Sequence, residues 1–308
     1  MSDEAHTVVS DVDEPLLLLA PLARQWAATC CARGDHPGSP SCEPYHGLWP
    51  YLRLMGLGKT LSGHGAQFLS EVTRWARDGR AGGESHRPRV LVSGSADASM
   101  LAHVLQGAGN VALEVDVTVL DQCETPLRLS AWYAERMGLV GVQVAASDVL
   151  SYRPLHRFDL IVTSSFLGYF TPSQRVDLFR NYAALMAPGA RLVFSNRLRA
   201  GPEDQAVGFS PPQAEAFVEQ ARTLAPGLPQ ACGADPDALV ALARRYVAMF
   251  QSYPLNGTAS IVALADAAGL QVLRMDGLHN LAAQATVSGP TTSDASPYVF
   301  VVLQRPAA

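Results

Sequence analysis

Lysine is nearly missing: Lys59 stands alone beside 22 arginines. The basic residues form no cluster, and the formal net charge is −5. The electrostatic footprint of a nucleic-acid-binding protein is therefore lacking. High Ala and Arg usage is read as coding bias rather than chemistry. No apolar run approaches the roughly 20 residues that cross a bilayer. The apolar residues 16–20 follow Asp3, Glu4, Asp11, Asp13 and Glu14, where a secretory signal carries positive charge. No membrane partner and a cytoplasmic location are expected. Cysteine is sparse and odd in number: Cys30, Cys31, Cys42, Cys123 and Cys232, with no pair at zinc-site spacing. Reduced thiols and no metal are the expectation, a cluster of Cys30, Cys31 and Cys42 with His36 or His46 the alternative. Gly58-Lys59-Thr60 invites a phosphate-loop reading, but Arg53 stands where that motif needs glycine and no strand precedes it. ATP binding there is rejected.

What is present is an ordinary globular balance, 48% hydrophobic and 17% charged over 308 residues. That length suits one large domain with an inserted lid, or two small ones. The most informative stretch is residues 89–101. An apolar run at 90–92 stops at a small-residue loop, 93–98, and a helical pattern begins. A strand, a tight loop and a helix N-terminus bring backbone N–H groups against a nucleotide or nucleoside. Further strands are expected at 117–120, ending in Asp121, at 142–146, followed by Asp148, and at 159–162, opening the turn Thr163-Ser164-Ser165. Helices are expected near 15–32, 61–77, 98–107, 126–137, 172–186, 211–224, 236–251 and 258–268. Strands are expected at 191–195, 271–275 and 298–303. Residues 33–50, rich in Gly and Pro, read as a loop or broken segment, and 284–297 as a loop. The alternation argues for a parallel sheet covered on both faces.

The four strand-and-turn pieces, in this order, resemble the class I S-adenosylmethionine (SAM) methyltransferases over residues 88–198, and in outline over the tail. The resemblance implies an α/β fold with a Rossmann-like sheet, mostly parallel with the last strand antiparallel. It implies SAM as cofactor, with the loop Gly94, Ser95, Ala96 and Asp97 around its methionine part. Asp121 and Gln122 would stand at the ribose, Asp148 and Val149 at the adenine, and Thr163 near the transferred methyl. A carboxylate accepting two hydrogen bonds suits a vicinal diol. The loop departs from the family pattern: only Gly94 remains, with Ala96 and Ala98 where further glycines are common, and Val92 in place of an acid. Asp97 is a polar loop residue or the helix N-cap. Without the resemblance, the loop reads as an ordinary strand-to-helix turn. Expected regions are an acidic tail, 1–14, a helical cap, 15–87, the core, 88–198, a helical lid, 199–254, and the rest of the core, 255–308.

The acceptor pocket should open where the strands end, with Phe166 and Tyr169 as walls. A second region, residues 42–64, concentrates Tyr45, His46, Trp49, Tyr51, Arg53, Lys59 and His64. Trp49 and Tyr51 could line a substrate, and Arg53 and Lys59 could hold an anionic group. Tyr45, His46 and His64 are the catalytic candidates, a histidine serving as base near neutral pH. The bland reading is a helical cap with aromatics in its core and solvated charges. Tyr246, Phe250 and Tyr253 share one helix face and read as core.

Three functions follow. The first is a SAM-dependent methyltransferase acting on a small molecule, as in specialised natural-product metabolism. The second is an enzyme of the same fold that promotes cyclisation or elimination instead. The third is a non-catalytic partner subunit. A homo- or heterodimer is compatible with each.

Overall fold

Buried valine and leucine runs set the sheet. In β1 (Arg89–Ser93), Val90, Leu91 and Val92 have no exposed surface, which requires helices on both faces. A computed structural model of the chain describes residues 15–31, 41–57, 59–81, 87–278 and 297–307. The expected acidic tail and most of the 284–297 loop lie outside these residues. The other strands are β2 (Asp116–Asp121), β3 (Val142–Ala146), β4 (Phe158–Ser164), β5 (Met186–Arg197), the short pair β6 (Val207–Gly208) and β7 (Gln251–Ser252), β8 (Gln271–Leu278) and β9 (Tyr298–Gln304). The main sheet runs in the order β3-β2-β1-β4-β5-β9-β8. Strands β1 to β5 are parallel, and β9 is antiparallel to both of its neighbours. This is the Rossmann-like arrangement expected, with the direction of the last strand as expected. The order reverses between β1 and β4, which opens a crevice at their carboxyl ends.

Helices α3 (Lys59–Ala81), α4 (Ser99–Gly109) and α5 (Glu124–Arg136) cover one face. Helices α6 (Pro172–Leu185) and α9 (Thr258–Ala267) cover the other. Two differences from the expected elements have clear causes. Strand β5 runs well beyond 191–195, because Met186 already pairs with Phe158 and Gly189 takes a left-handed φ of +78° that lets Pro188-Gly189 pass within it. Within the expected loop at 33–50 a helix begins: α2 (Glu43–Leu54) contains Pro44 and Pro50. Pro44 sits in the first turn, where a missing N–H costs nothing. Burial of Leu48, Tyr51 and Leu52 holds the rest.

That burial is shared. Helix α1 (Leu16–Cys30) packs on α2, and α2 packs on α8 (Pro236–Met249), itself paired with α7 (Pro211–Leu224). Leu48, Tyr51 and Leu52 form one cluster with Phe217, Leu239 and Tyr246. Helix α2, with Ala20 of α1, and the helices between 211 and 249 thus share an apolar cluster apart from the sheet's core. The insertion's helices start cleanly, α7 on a Ser210–Gln213 capping box and α8 on the Asp235 carboxylate. Its two ends meet at Arg175 of α6, a buried guanidinium. Arg175 donates to the Leu167 carbonyl at 3.0 Å, to the Tyr253 carbonyl at 2.8 Å and to the Glu203 carboxylate at 3.2 Å. No helix among the described residues is long and apolar enough to cross a membrane.

Candidate functional site

A cavity of about 1170 Å³ opens at the carboxyl ends of β1 to β4, somewhat above the usual range of about 300–1,000 Å³ for small-molecule sites. Its floor is the β1 loop. Gly94 takes φ +67°, and a Cβ there would lie 2.5 Å from the Phe166 ring. Glycine is therefore required on two counts. Ala96 and Ala98 keep ordinary negative φ, since the only described non-glycine residues with positive φ are Ala112 and Ser165. Ala98 is buried in the core beneath the loop, and Ala96 packs beside the insertion cluster. The loop thus needs one glycine, and its alanines are accommodated rather than strained.

Asp97 is fully buried and committed. One carboxylate oxygen accepts from the Ser99 N–H at 2.9 Å, and the other takes Arg53 at 2.6 Å. The N-cap residue itself is Ala98, so Asp97 braces the helix start from one position earlier. Asp121 ends β2 in the cavity wall. Its carboxylate accepts the Ser95 N–H at 2.9 Å and the Cys123 N–H at 2.7 Å, which fixes its orientation and leaves further lone pairs. Burial raises its pKa against the lowering pull of His46 and these two bonds. Gln122 and Asp148 also border the cavity, and Asp148 accepts the Leu150 N–H at 2.9 Å. Val149 forms an apolar wall.

The other half of the cavity is aromatic. Tyr45 and Trp49 of α2 have ring centroids 5.5 Å apart, and Tyr45 and Tyr169 are 6.4 Å apart. Phe166, Phe170 and Phe250 complete the wall. Desolvation pushes Tyr169 up to about 12 and Tyr45 well above its usual value. Both hydroxyls stay protonated at neutral pH. The Trp49 Nε1 and Ser165 Oγ are buried without a hydrogen-bond partner. Ser165 adopts φ +53°, a left-handed conformation that costs a non-glycine residue of order 1–3 kcal/mol. His46 is buried beside Asp121. Burial opposes its charge, but the Cys123 thiol and the Asp121 carboxylate outweigh that and raise its pKa.

Several expected residues stand elsewhere. Thr163 is buried within β4 and does not line the cavity, because strand alternation hands that place to Ser164 and the turn residue Ser165. Tyr51 is core, its hydroxyl donating to the Cys232 carbonyl at 3.0 Å. Arg53 is spent on Asp97, so it is no anion anchor. His64 is buried against Tyr298, ring centroids 4.7 Å apart, away from the cavity. Lys59 starts α3, and its side chain lies outside the described residues. Phe250, expected as core, lines the cavity just past the end of α8. Tyr246 is core as expected. Sequence reasoning missed the convergence of Cys31, Cys42 and Cys123; the only signal was that Cys123 follows Asp121 by two residues.

Strand order and the reversed β9 decide the architecture. The chain has the class I methyltransferase fold. No protein-family model matches it, and no curated protein is detectably similar. Among solved structures it resembles magnesium protoporphyrin IX methyltransferase (ChlM) from Synechocystis PCC 6803 with bound SAH. That likeness has 13% identity over 83% of this chain and 92% of the other, with a TM-score of 0.48. The N-methyltransferase NodS from Bradyrhizobium japonicum WM9, in complex with S-adenosyl-l-homocysteine, is 15% identical over 92% of this chain and 98% of its own, with a TM-score of 0.44. The SAM-dependent methyltransferase SibL is 15% identical over 94% and 69%, with a TM-score of 0.47.

Proposed function

We propose that this chain is a SAM-dependent methyltransferase acting on a small, largely apolar molecule of specialised metabolism. The observation that carries the reading is Asp121. Its carboxylate is oriented by the Ser95 and Cys123 N–H groups at the end of β2, beside the Gly94 turn, in a cavity with room for a nucleoside and a second molecule. Asp121 would accept the ribose hydroxyls, and Asp148 would stand near the adenine amine. SAM supplies a methyl group on a sulfonium, open to in-line displacement.

The chain's own residues then position the acceptor. Tyr45, Trp49, Phe166, Tyr169 and Phe250 give flat apolar walls, suited to a ring system, and exclude water. The Trp49 N–H and Ser165 hydroxyl, buried without hydrogen-bond partners, stand behind this wall. Tyr45 and Tyr169, held protonated, donate hydrogen bonds rather than remove protons. With Arg53 paired to Asp97, the reading does not depend on an anionic substrate. Titration calorimetry with SAM and with S-adenosylhomocysteine tests the cofactor. Saturable binding of both at micromolar concentration is expected; absence of both would falsify the proposal.

A second reading keeps the fold and drops the methyl transfer, in favour of an intramolecular cyclisation or elimination on the bound substrate. One contact favours it. The Phe166 ring presses on Gly94, at the part of the loop that the methionine end of SAM would approach. Under that reading, neither adenosyl compound binds while an aromatic substrate does.

A further inference from the structure

Three thiols converge at the cavity wall from separate elements. Cys31 follows the last residue of α1, Cys42 precedes α2, and Cys123 precedes α5. Their sulfurs all lie within 4.8 Å of one another. The Cys31–Cys123 pair is 3.3 Å apart, and the Cys42–Cys123 pair 3.7 Å. Four ligands at the zinc–sulfur bond length of about 2.3 Å form a tetrahedron with edges of about 3.8 Å, so this spacing needs little adjustment to hold an ion. The surroundings are those of a ligand set. The Thr125 hydroxyl lies 3.2 Å from the Cys31 sulfur, and the Cys123 N–H is fixed on Asp121. A disulfide uses two sulfurs and strands the third; a soft ion uses all three. His46 stands outside this group of close ligand atoms.

We propose that Cys31, Cys42 and Cys123 form a three-thiolate Zn²⁺ site, its fourth position open to water or a cavity ligand, that fastens α1 and α2 to the core at the cavity wall. The proposal departs from the no-metal expectation of the sequence spacing, because the third sulfur comes from Cys123 of the core and not from Cys30. On binding, three S–H bonds give way to three Zn–S bonds, and three protons pass to solvent. The site adjoins the proposed cofactor pocket through the Cys123 N–H on Asp121, but metal content and cobalt spectra are read without SAM and so stand or fall apart from that reading.

The test is made on the full-length chain, purified under reducing conditions without chelator. Elemental analysis is expected to give one zinc per chain. Replacement by Co²⁺ is expected to give thiolate-to-cobalt charge-transfer bands with the visible intensity of a tetrahedral centre. Cys42→Ser and Cys123→Ser are each expected to weaken zinc retention at least tenfold against a chromophoric chelator. Should the serine variants not fold, the wild-type cobalt spectrum decides alone. A folded wild-type chain without zinc and without thiolate–cobalt bands overturns the proposal. So does retention of copper in place of zinc, or a Cys31–Cys123 disulfide found by mass spectrometry in the chain as isolated.

Discussion

Arg53 of α2 reaches the Asp97 carboxylate of the β1 loop at 2.6 Å, and both side chains are buried. The N-terminal helices and the loop that floors the cavity are therefore joined by an ion pair out of solvent. Breaking one partner of such a pair leaves an uncompensated charge and costs about 3–5 kcal/mol. Arg53→Met is expected to lose stability on that scale in denaturant unfolding. Arg53→Met with Asp97→Asn is expected to regain at least half of it, because the amide oxygen introduced by the second substitution still accepts the Ser99 N–H. A double variant no more stable than Arg53→Met would show that packing, not charge, dominates.

Asp121→Asn keeps one acceptor oxygen for the loop N–H groups and removes the charge. Hydrogen bonds to charged groups are worth about 1.5–3 kcal/mol. SAM binding by calorimetry is expected to weaken at least tenfold, and the melting temperature to fall by a few degrees, because the amide nitrogen faces one of the two N–H donors. Unaltered affinity would remove Asp121 from the cofactor site.

Gly94→Ala combines a left-handed backbone, costing about 1–2 kcal/mol for an L-residue, with a collision against Phe166. The single variant is expected to be clearly destabilised. Gly94→Ala with Phe166→Ala is expected to cost less than the sum of the two singles, since one of the colliding groups is gone. Strict additivity would mean that the ring moves aside freely.

His64 carries a pH signature. Burial, with Arg197 nearby, lowers its pKa from 6.5 to about 4. Above pH 6.5 neither folded nor unfolded chain protonates it, and it contributes no pH dependence. Below that, the unfolded chain takes up a proton that the folded chain refuses until about pH 4. Stability falls through that window by about 1.4 kcal/mol per pH unit from this group. His64→Gln is expected to flatten the slope between pH 6 and pH 4.5, measured as the denaturant midpoint against pH. An unchanged slope would assign the acid sensitivity to other groups.

The sheet was legible because its signals are local. Apolar runs such as 90–92, each followed by a turn and a helix, survive in the sequence regardless of what packs on them. The cap was less so. Helix α2 hides behind Pro44 and Pro50, and its burial against α1 and against α8, some 190 residues further along the chain, holds it as a helix. Asp121 and Asp148 border the cavity because residues at and just past strand ends face the crevice. Arg53, Tyr51 and His64 were misplaced because composition shows which residues share a stretch, not which face of a helix each takes. The three thiols are more than 80 residues apart at their widest, a convergence that spacing rules cannot register.

Arg175 holds both ends of the 199–254 insertion to the Leu167 turn, and Tyr253 N–H returns to the Gly168 carbonyl at 2.8 Å. Residues 199–254 are thus tied to α6 near both ends and packed on α2 between them. Because α2 also carries Arg53, which holds Asp97 of the β1 loop, a substitution at the seam of α2 and α8 is felt at the cavity floor as well as at the wall around Phe250.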